Sequence, residues 1–446
     1  MNLFKLLKTR EETGKLLRVG LIGAGKFGAM YLSQVARTPG MQMVGIADLS
    51  PDRARTSLAR VGWKPEQYSA TSLEEAAKTG TTVIIDNSEA LIKSSQIDII
   101  IDATGHPAAG INHVLACCEH GKHIIMVNVE ADALAGPLLV ERAKQAGIVY
   151  SLAYGDQPAL ICETVDWARA AGFEVIAAGK GTKYLPSYHQ STPDDVWGHY
   201  GISPENAAAG GMNPQMFNSF LDGTKSALEM AAVANATGLQ APRDGLAFPA
   251  CGVDDLPNLL KPVADGGILS ERGQVEVVSS IERDGRPVFR DLRWGVYVTF
   301  AADTDYVQRC FQEYGLLTDA TGNYTAMYKP YHLIGLELGI SVASVGLRQE
   351  STGQPVGWQA DVVATAKRDL TAGEVLDGEG GFRVYGKLMP ASDSLALGGF
   401  PLGLANNVKL KRTVKAGMPL SWDDVDIDRT DTAVGFRLSM QEKFRA

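Results

Sequence analysis

Cysteine is scarce. The 446 residues hold five, Cys117, Cys118, Cys162, Cys251 and Cys310, too few and too irregularly placed for a disulfide framework or a zinc module, so they read as reduced thiols. A basic surplus is lacking as well. Lys plus Arg total 42 against 51 Asp plus Glu, the formal net charge is -9, and no basic run interrupts the chain, which argues against nucleic acid as a partner. No apolar run suits a membrane span: the longest, Tyr331 to Leu347, still carries His332, Glu337 and several glycines. The first fifteen residues show neither the apolar h-region nor the cleavage site of a signal peptide, so a soluble cytoplasmic protein without membrane contact is expected. What remains, 45% hydrophobic and 21% charged residues, is ordinary globular usage in a chain long enough for two or three domains.

From Leu17 to about Leu152, short apolar runs alternate with amphipathic ones, as βαβ units do. Strands are expected at Arg18–Ile22, Met43–Ala47, Val83–Ile85, Ile97–Ala103, His123–Val127 and Ile148–Leu152. Helices are expected at Phe27–Arg37, Pro51–Arg60, Asn112–His120 and Ala133–Ala146, with Gly121 and Gly147 at C-cap positions. The fold class is therefore α/β: an N-terminal Rossmann domain over 1–154, an α+β catalytic and dimerisation domain over 155–347, and a small β-rich domain over 348–446. The second region offers strand-like runs at Phe173–Ala177, Val275–Ile281 and Val296–Phe300 and long helical ones at Met216–Thr237 and Pro330–Ser344, whose apolar faces suggest a homodimer. Its loops Ser191–Pro214 and Gln240–Gly267 have the length of binding segments. The last region contains an echo, Lys367–Gly373 answered by Lys411–Gly417, each a strand running into a glycine turn.

The segment Gly23-Ala24-Gly25-Lys26-Phe27-Gly28 places G-x-G-x-x-G after an apolar strand and at the start of a helix, with Asp48 twenty residues on at the end of the second strand. Gly23 permits the tight turn, Gly25 lets a pyrophosphate approach, Gly28 allows close helix packing, and Asp48 would accept from a ribose hydroxyl. Asp48 would repel a ribose phosphate while Arg53 and Arg55 could pair with one, so the residues lean to NAD and leave NADP open. Thr104, Gly105, Pro107 and Asn128 fall at strand ends where nicotinamide contacts are expected. His106 is read as a turn residue.

Three constellations could carry chemistry. Lys180 and Lys183, flanked by glycines at a strand end with His189 close behind, would suit a substrate phosphate or carboxylate, or an ordinary solvated loop. Asp222, Lys225 and Glu229 fall on one helical face at i, i+3 and i+7, and a lysine between carboxylates could be held charged as a proton donor or oxyanion stabiliser, or the three could be ordinary surface ion pairs. Glu130 and Asp132 could hold a divalent ion such as Mg or Mn, or simply favour a helix N-terminus. Tyr328–His332 could form a pocket wall.

The Gly23–Gly28 turn, Asp48, the Ala103–Pro107 loop, the Asn218–Glu229 segment and the C-terminal echo resemble oxidoreductases related to homoserine dehydrogenase, and within them the 1-deoxy-D-xylulose-5-phosphate reductoisomerase-like enzymes. The C-terminal echo resembles the β-clip module called the SAF domain. The resemblance implies an NADPH-dependent, metal-assisted rearrangement of a phosphorylated ketose, followed by hydride transfer that yields 2-C-methyl-D-erythritol 4-phosphate for isoprenoid synthesis. It places Asp222 and Lys225 on the helix that acts on substrate in homoserine dehydrogenases, although their spacing is three rather than four. It leaves Glu130 where those enzymes carry a lysine. The alternative is a simple NAD(P)-dependent dehydrogenase of a hydroxy acid, amino alcohol or sugar acid; a non-catalytic dinucleotide sensor is a third reading.

Overall fold

The computed structural model describes residues 2–209 and 212–445, so Gly210 and Gly211 of the Ser191–Pro214 loop lie outside the described residues. The chain forms two compact units, one of residues 1–160 with 333–355 and one of residues 161–332 with 356–446.

The first unit is built on a six-stranded parallel sheet: β1 (Leu17–Ile22), β2 (Met41–Ala47), β3 (Val83–Ile85), β4 (Ile99–Asp102), β5 (His123–Met126) and β6 (Tyr150–Leu152). Their order is β3-β2-β1-β4-β5-β6, the doubly wound arrangement whose ligand crevice opens where the order reverses, between β1 and β4. Strands such as β1, β2 and β4 are apolar almost throughout because both faces of a parallel sheet are covered by helices.

The second unit holds a mixed sheet of order β10-β9-β7-β8, made of β7 (Glu174–Thr182), β8 (Gln274–Ser279), β9 (Val296–Ala301) and β10 (Tyr324–Lys329). The helix Thr224–Thr237 packs on β7 and β8 and also on β11 (Ala360–Ala366) and β13 (Val384–Pro390). It lies between two sheets, which explains why nearly all of its residues, the polar Ser226, Glu229 and Asn235 included, are buried. A second C-terminal sheet joins β12 (Val375–Asp377), β14 (Asn406–Leu410) and β15 (Val425–Asp426). The echoed segments pair with each other: Leu370 and Val414 exchange backbone hydrogen bonds of 2.8 and 3.0 Å, and Gly373 and Gly417 both take positive φ.

Four expectations need correction. The chain does not divide at 347, because the helix Gly339–Arg348 belongs to the first unit: Leu338, Val342, Ala343 and Val345 join a core with Leu7, Leu17, Tyr31 and Ile99. A Cβ at Gly346 would come within 2.7 Å of the Leu17 side chain, so a larger residue there would have to displace the Leu17 methyls. Residues 330–338 are not helical, the chain turning at Gly335 with φ +77. The run Met216–Thr237 is two helices, Pro214–Leu221 and Thr224–Thr237, broken at Gly223 with φ +88. Lastly, residues 348–446 are not a separate domain: all but the first few share a unit with 161–332. The helices that suggested a dimer have their apolar faces buried within their own units, so they offer no reason for one. No helix among the described residues is long and apolar enough to cross a membrane.

Candidate functional site

The glycine turn after β1 is tight for measurable reasons. A Cβ at Gly23 (φ +94) would fall 2.8 Å from the Ala103 carbonyl oxygen, and one at Gly28 2.2 Å from that of Gly23, whereas Gly25 faces open space. Two glycines thus close the turn, and the third leaves bare backbone at the N-terminus of the helix Lys26–Val35, the place where a diphosphate is held. Lys26 is exposed and Phe27 half-buried beside it. The residues fit a dinucleotide.

Asp48 does not stand ready for a ribose as expected. It is buried, and its carboxylate accepts from the Ala24 N–H (2.9 Å), the Ser50 N–H (2.9 Å) and the Arg53 guanidinium (2.6 Å). It braces the turn, and the exposed end of Arg53 lies beside it with the carboxylate charge already compensated. The strand-end loop is braced similarly. Buried Asp102 accepts from the Thr104 N–H and hydroxyl (2.9 and 2.7 Å) and faces His113 Nδ1 at 3.1 Å. Asn128 is fully buried, donating to Thr104 Oγ1 and the His106 carbonyl and accepting from the Ala131 N–H, so its side chain is spent on shaping the loop. Exposed Gly105 (φ +65) and half-buried Pro107 remain accessible. His106 caps the helix Pro107–His120, Nδ1 accepting from the Ala109 N–H.

In the second unit, β7 presents Lys180, buried and ion-paired with buried Glu229 of the helix Thr224–Thr237. Asp222, in the break between the two helices, is fully buried and pairs with Lys367 (2.8 Å), whose ammonium also donates to the Ser191 and Gly381 carbonyls. The break separates Asp222 from Lys225 and Glu229, so the three do not form one helical face; each carboxylate takes a lysine from another element, and Lys225 is half-buried. His189 lies against this break. Its Nδ1 is 2.7 Å from the Asp222 carbonyl oxygen, which can only accept, so Nδ1 carries the proton. Burial holds the imidazole below its ordinary 6.5, so at neutral pH Nε2 offers a lone pair. Tyr385 stacks on the ring at 4.4 Å, and Tyr184 and Phe248, themselves stacked at 3.9 Å, meet it edge-on. Gly223 lies close: a Cβ would fall 3.1 Å from His189 Cε1. Phe248 is held at φ +48, and the buried Glu276 carboxyl, pushed up to about 7 by desolvation, accepts from the Ala247 and Phe248 N–H groups. Lys183 is drawn to the helix Val196–Tyr200 instead, donating to the His199 carbonyl at 2.5 Å. Tyr328 and His332 are bound to Arg290 and to the Trp294 carbonyl.

Residues 17–127 match the model of the GFO/IDH/MocA oxidoreductase family, NAD-binding Rossmann fold, and residues 155–338 that of the oxidoreductase DRL catalytic domain. Both models are those of oxidoreductases, the first of a nicotinamide-dinucleotide-binding fold and the second of a catalytic domain. No curated protein matches it. Solved structures similar to this chain include an NAD-binding oxidoreductase from Klebsiella pneumoniae, 16% identical over 39% of this chain and 44% of that one, TM-score 0.28. DOX-P reductoisomerase in complex with magnesium is 17% identical over 50% and 58%, TM-score 0.33. A myo-inositol dehydrogenase from Corynebacterium glutamicum is 14% identical over 41% and 49%, TM-score 0.28. The matched regions thus span about half the length of these structures.

Glu130 and Asp132 do not fit a metal. They stand two apart on the helix Val129–Gln145, a spacing that points side chains away from each other. Asp132 is fully buried; Oδ1 accepts from the Tyr150 hydroxyl at 2.7 Å and Oδ2 has no hydrogen-bond partner, so desolvation pushes its carboxyl up to about 7. Among the described residues no group of three metal-ligating side chains converges. A native carboxyl that keeps its proton to about 7 while the unfolded one loses it near 3.8 makes stability fall as pH rises through that window. Asp132→Asn keeps the acceptor for Tyr150 and removes the proton. It should stabilise the protein by about 2–4 kcal/mol at about pH 8 and by nothing at about pH 4, read from urea midpoints. Equal midpoints for variant and parent at the higher pH would show that Asp132 ionises freely.

Residue patterns missed Lys367, Tyr385, Glu276 and Phe248. Only Glu276 left a local trace, a lone carboxylate inside the apolar strand Val275–Ile281.

Proposed function

We propose that this chain is an NADPH-dependent reductoisomerase that converts 1-deoxy-D-xylulose 5-phosphate to 2-C-methyl-D-erythritol 4-phosphate. The observation that carries the reading is His189, its Nδ1–H spent on the Asp222 carbonyl and its Nε2 open beside charged lysines, in the segment that matches the DRL catalytic domain. A neutral imidazole of fixed tautomer is a general base. Nε2 takes the hydroxyl proton whose loss starts the carbon shift and returns it to the former keto oxygen, which the shift leaves as an alkoxide; hydride addition to the new aldehyde leaves a second alkoxide, which takes its proton from solvent. The buried Lys180 ammonium, held by Glu229, can polarise a keto oxygen. A bound nicotinamide supplies the hydride.

The cofactor preference rests on Arg53, whose guanidinium neutralises Asp48 and remains largely exposed for a ribose phosphate. NADPH oxidation with 1-deoxy-D-xylulose 5-phosphate should outpace NADH oxidation, and Arg53→Ala should raise KM for NADPH about tenfold with little change for NADH. A preference for NADH that Arg53→Ala leaves untouched would reverse the assignment to NAD.

The second reading is a simple dehydrogenase of a hydroxy acid, amino alcohol or sugar acid. It is favoured by the same His189, which suffices for proton transfer in plain alcohol oxidation. Reduction of NAD(P) by such an alcohol, with no NADPH oxidation by the phosphoketose, would select it.

A further inference from the structure

The cations packed around the helix break and the adjoining C-terminal strands are mostly paired. Lys180 pairs with Glu229, Lys367 with Asp222, Arg368 with Glu374, and Arg383 with Asp377. Even the cavity of about 710 Å³ lined by Lys367, Arg368 and Arg383 presents compensated charge. Lys387 differs. It is half-buried, yet among the described residues its ammonium has neither a hydrogen bond nor an ion pair. The two-residue period of β13 puts it on the same face as Tyr385, whose ring stacks on His189. It stands close enough for its charge to disfavour protonation of that imidazole, as Lys367 does. Its stem passes over the turn at Gly245, where a Cβ would fall 3.1 Å from Cε of the lysine and the φ of +87 suits glycine. With Asp222 balanced by Lys367 and His189 neutral, the group around the imidazole carries one unmatched positive charge. A half-buried ammonium without a counter-charge is poorly solvated and gains strongly from an oxyanion.

We propose that Lys387, supplied by the C-terminal β-rich region, anchors the oxyanion of the substrate, a phosphate or a carboxylate, beside His189. This rests on the reading of His189 as the proton-transfer group, and makes the C-terminal region part of the substrate site.

The test titrates the full chain with inorganic phosphate and, separately, acetate, following the His189 imidazole signals by NMR, in the parent, Lys387→Met and Lys387→Arg. Lysine 387 has no partner to lose, so the unfolding midpoint of Lys387→Met should match the parent's. Lys387→Met should weaken the anion-induced shift about tenfold and Lys387→Arg should largely restore it. A response to phosphate alone assigns a phosphorylated substrate, and one to acetate a carboxylate; both support the anchor. Equal responses in the parent and Lys387→Met, or no response of the parent to either anion, overturn it. Turnover whose KM is unchanged by Lys387→Met would remove the anchor and leave the functional reading standing. Lysine-dependent anion binding without turnover of any substrate would do the reverse.

Discussion

Replacing His189 by glutamine is expected to lower kcat by about 10²–10⁴-fold, the usual contribution of a positioned acid–base group. Glutamine can still donate to the Asp222 carbonyl that holds Nδ1 at 2.7 Å, so the break between the helices should keep its shape and KM should change little. The pH profile gives a second readout. Burial holds the imidazole below 6.5, so the basic form persists into mildly acidic solution, and activity should fall only as pH drops through that depressed value. The acid limb should vanish in His189→Gln. A kcat within about fivefold of the parent's, with the limb retained, would transfer the proton to another group.

The second large effect is on stability. Lys367→Met leaves Asp222, fully buried, without its cation, and deprives the Ser191 and Gly381 carbonyls of a donor. Removing one member of a buried pair typically costs about 3–5 kcal/mol, because the other charge stays desolvated. Asp222→Asn in the same chain removes that stranded charge while its side-chain oxygen can still accept from the Thr224 N–H. The double variant should therefore recover most of the loss, read from urea midpoints. If single and double variants unfold alike, the cost lies in the carbonyl bonds to Ser191 and Gly381 and not in the ion pair.

His189 and Asp48 differ in how much of their surroundings is local. His189 follows glycine-flanked lysines at a strand end, a local pattern that makes it a candidate, and the structure places it at a break in the chain with Nδ1 bonded to the Asp222 carbonyl. Asp48 was placed correctly at the end of β2, but its partners Ala24, Ser50 and Arg53 turn it inward. Glu130 and Asp132 failed as a metal pair for a reason already present in helical geometry, that residues two apart do not share a face. The run Met216–Thr237 misled because apolar periodicity continues across Gly223, and only its left-handed backbone reveals the break.

By itself the sequence determined the parallel α/β half, because strands buried on both faces and glycines at close approaches leave local marks of composition and spacing. It also determined the paired C-terminal turns and the membership of Lys180, His189 and Asp222 among candidate site residues. The tertiary structure alone decided that the helix Gly339–Arg348 returns to the first unit, and that Lys367, Tyr385 and Lys387 stand with His189 and Asp222. The physical reason is the same for both. A buried ion pair or a packed helix is selected by its partner, and when that partner lies far away in sequence, no local period or propensity records the choice.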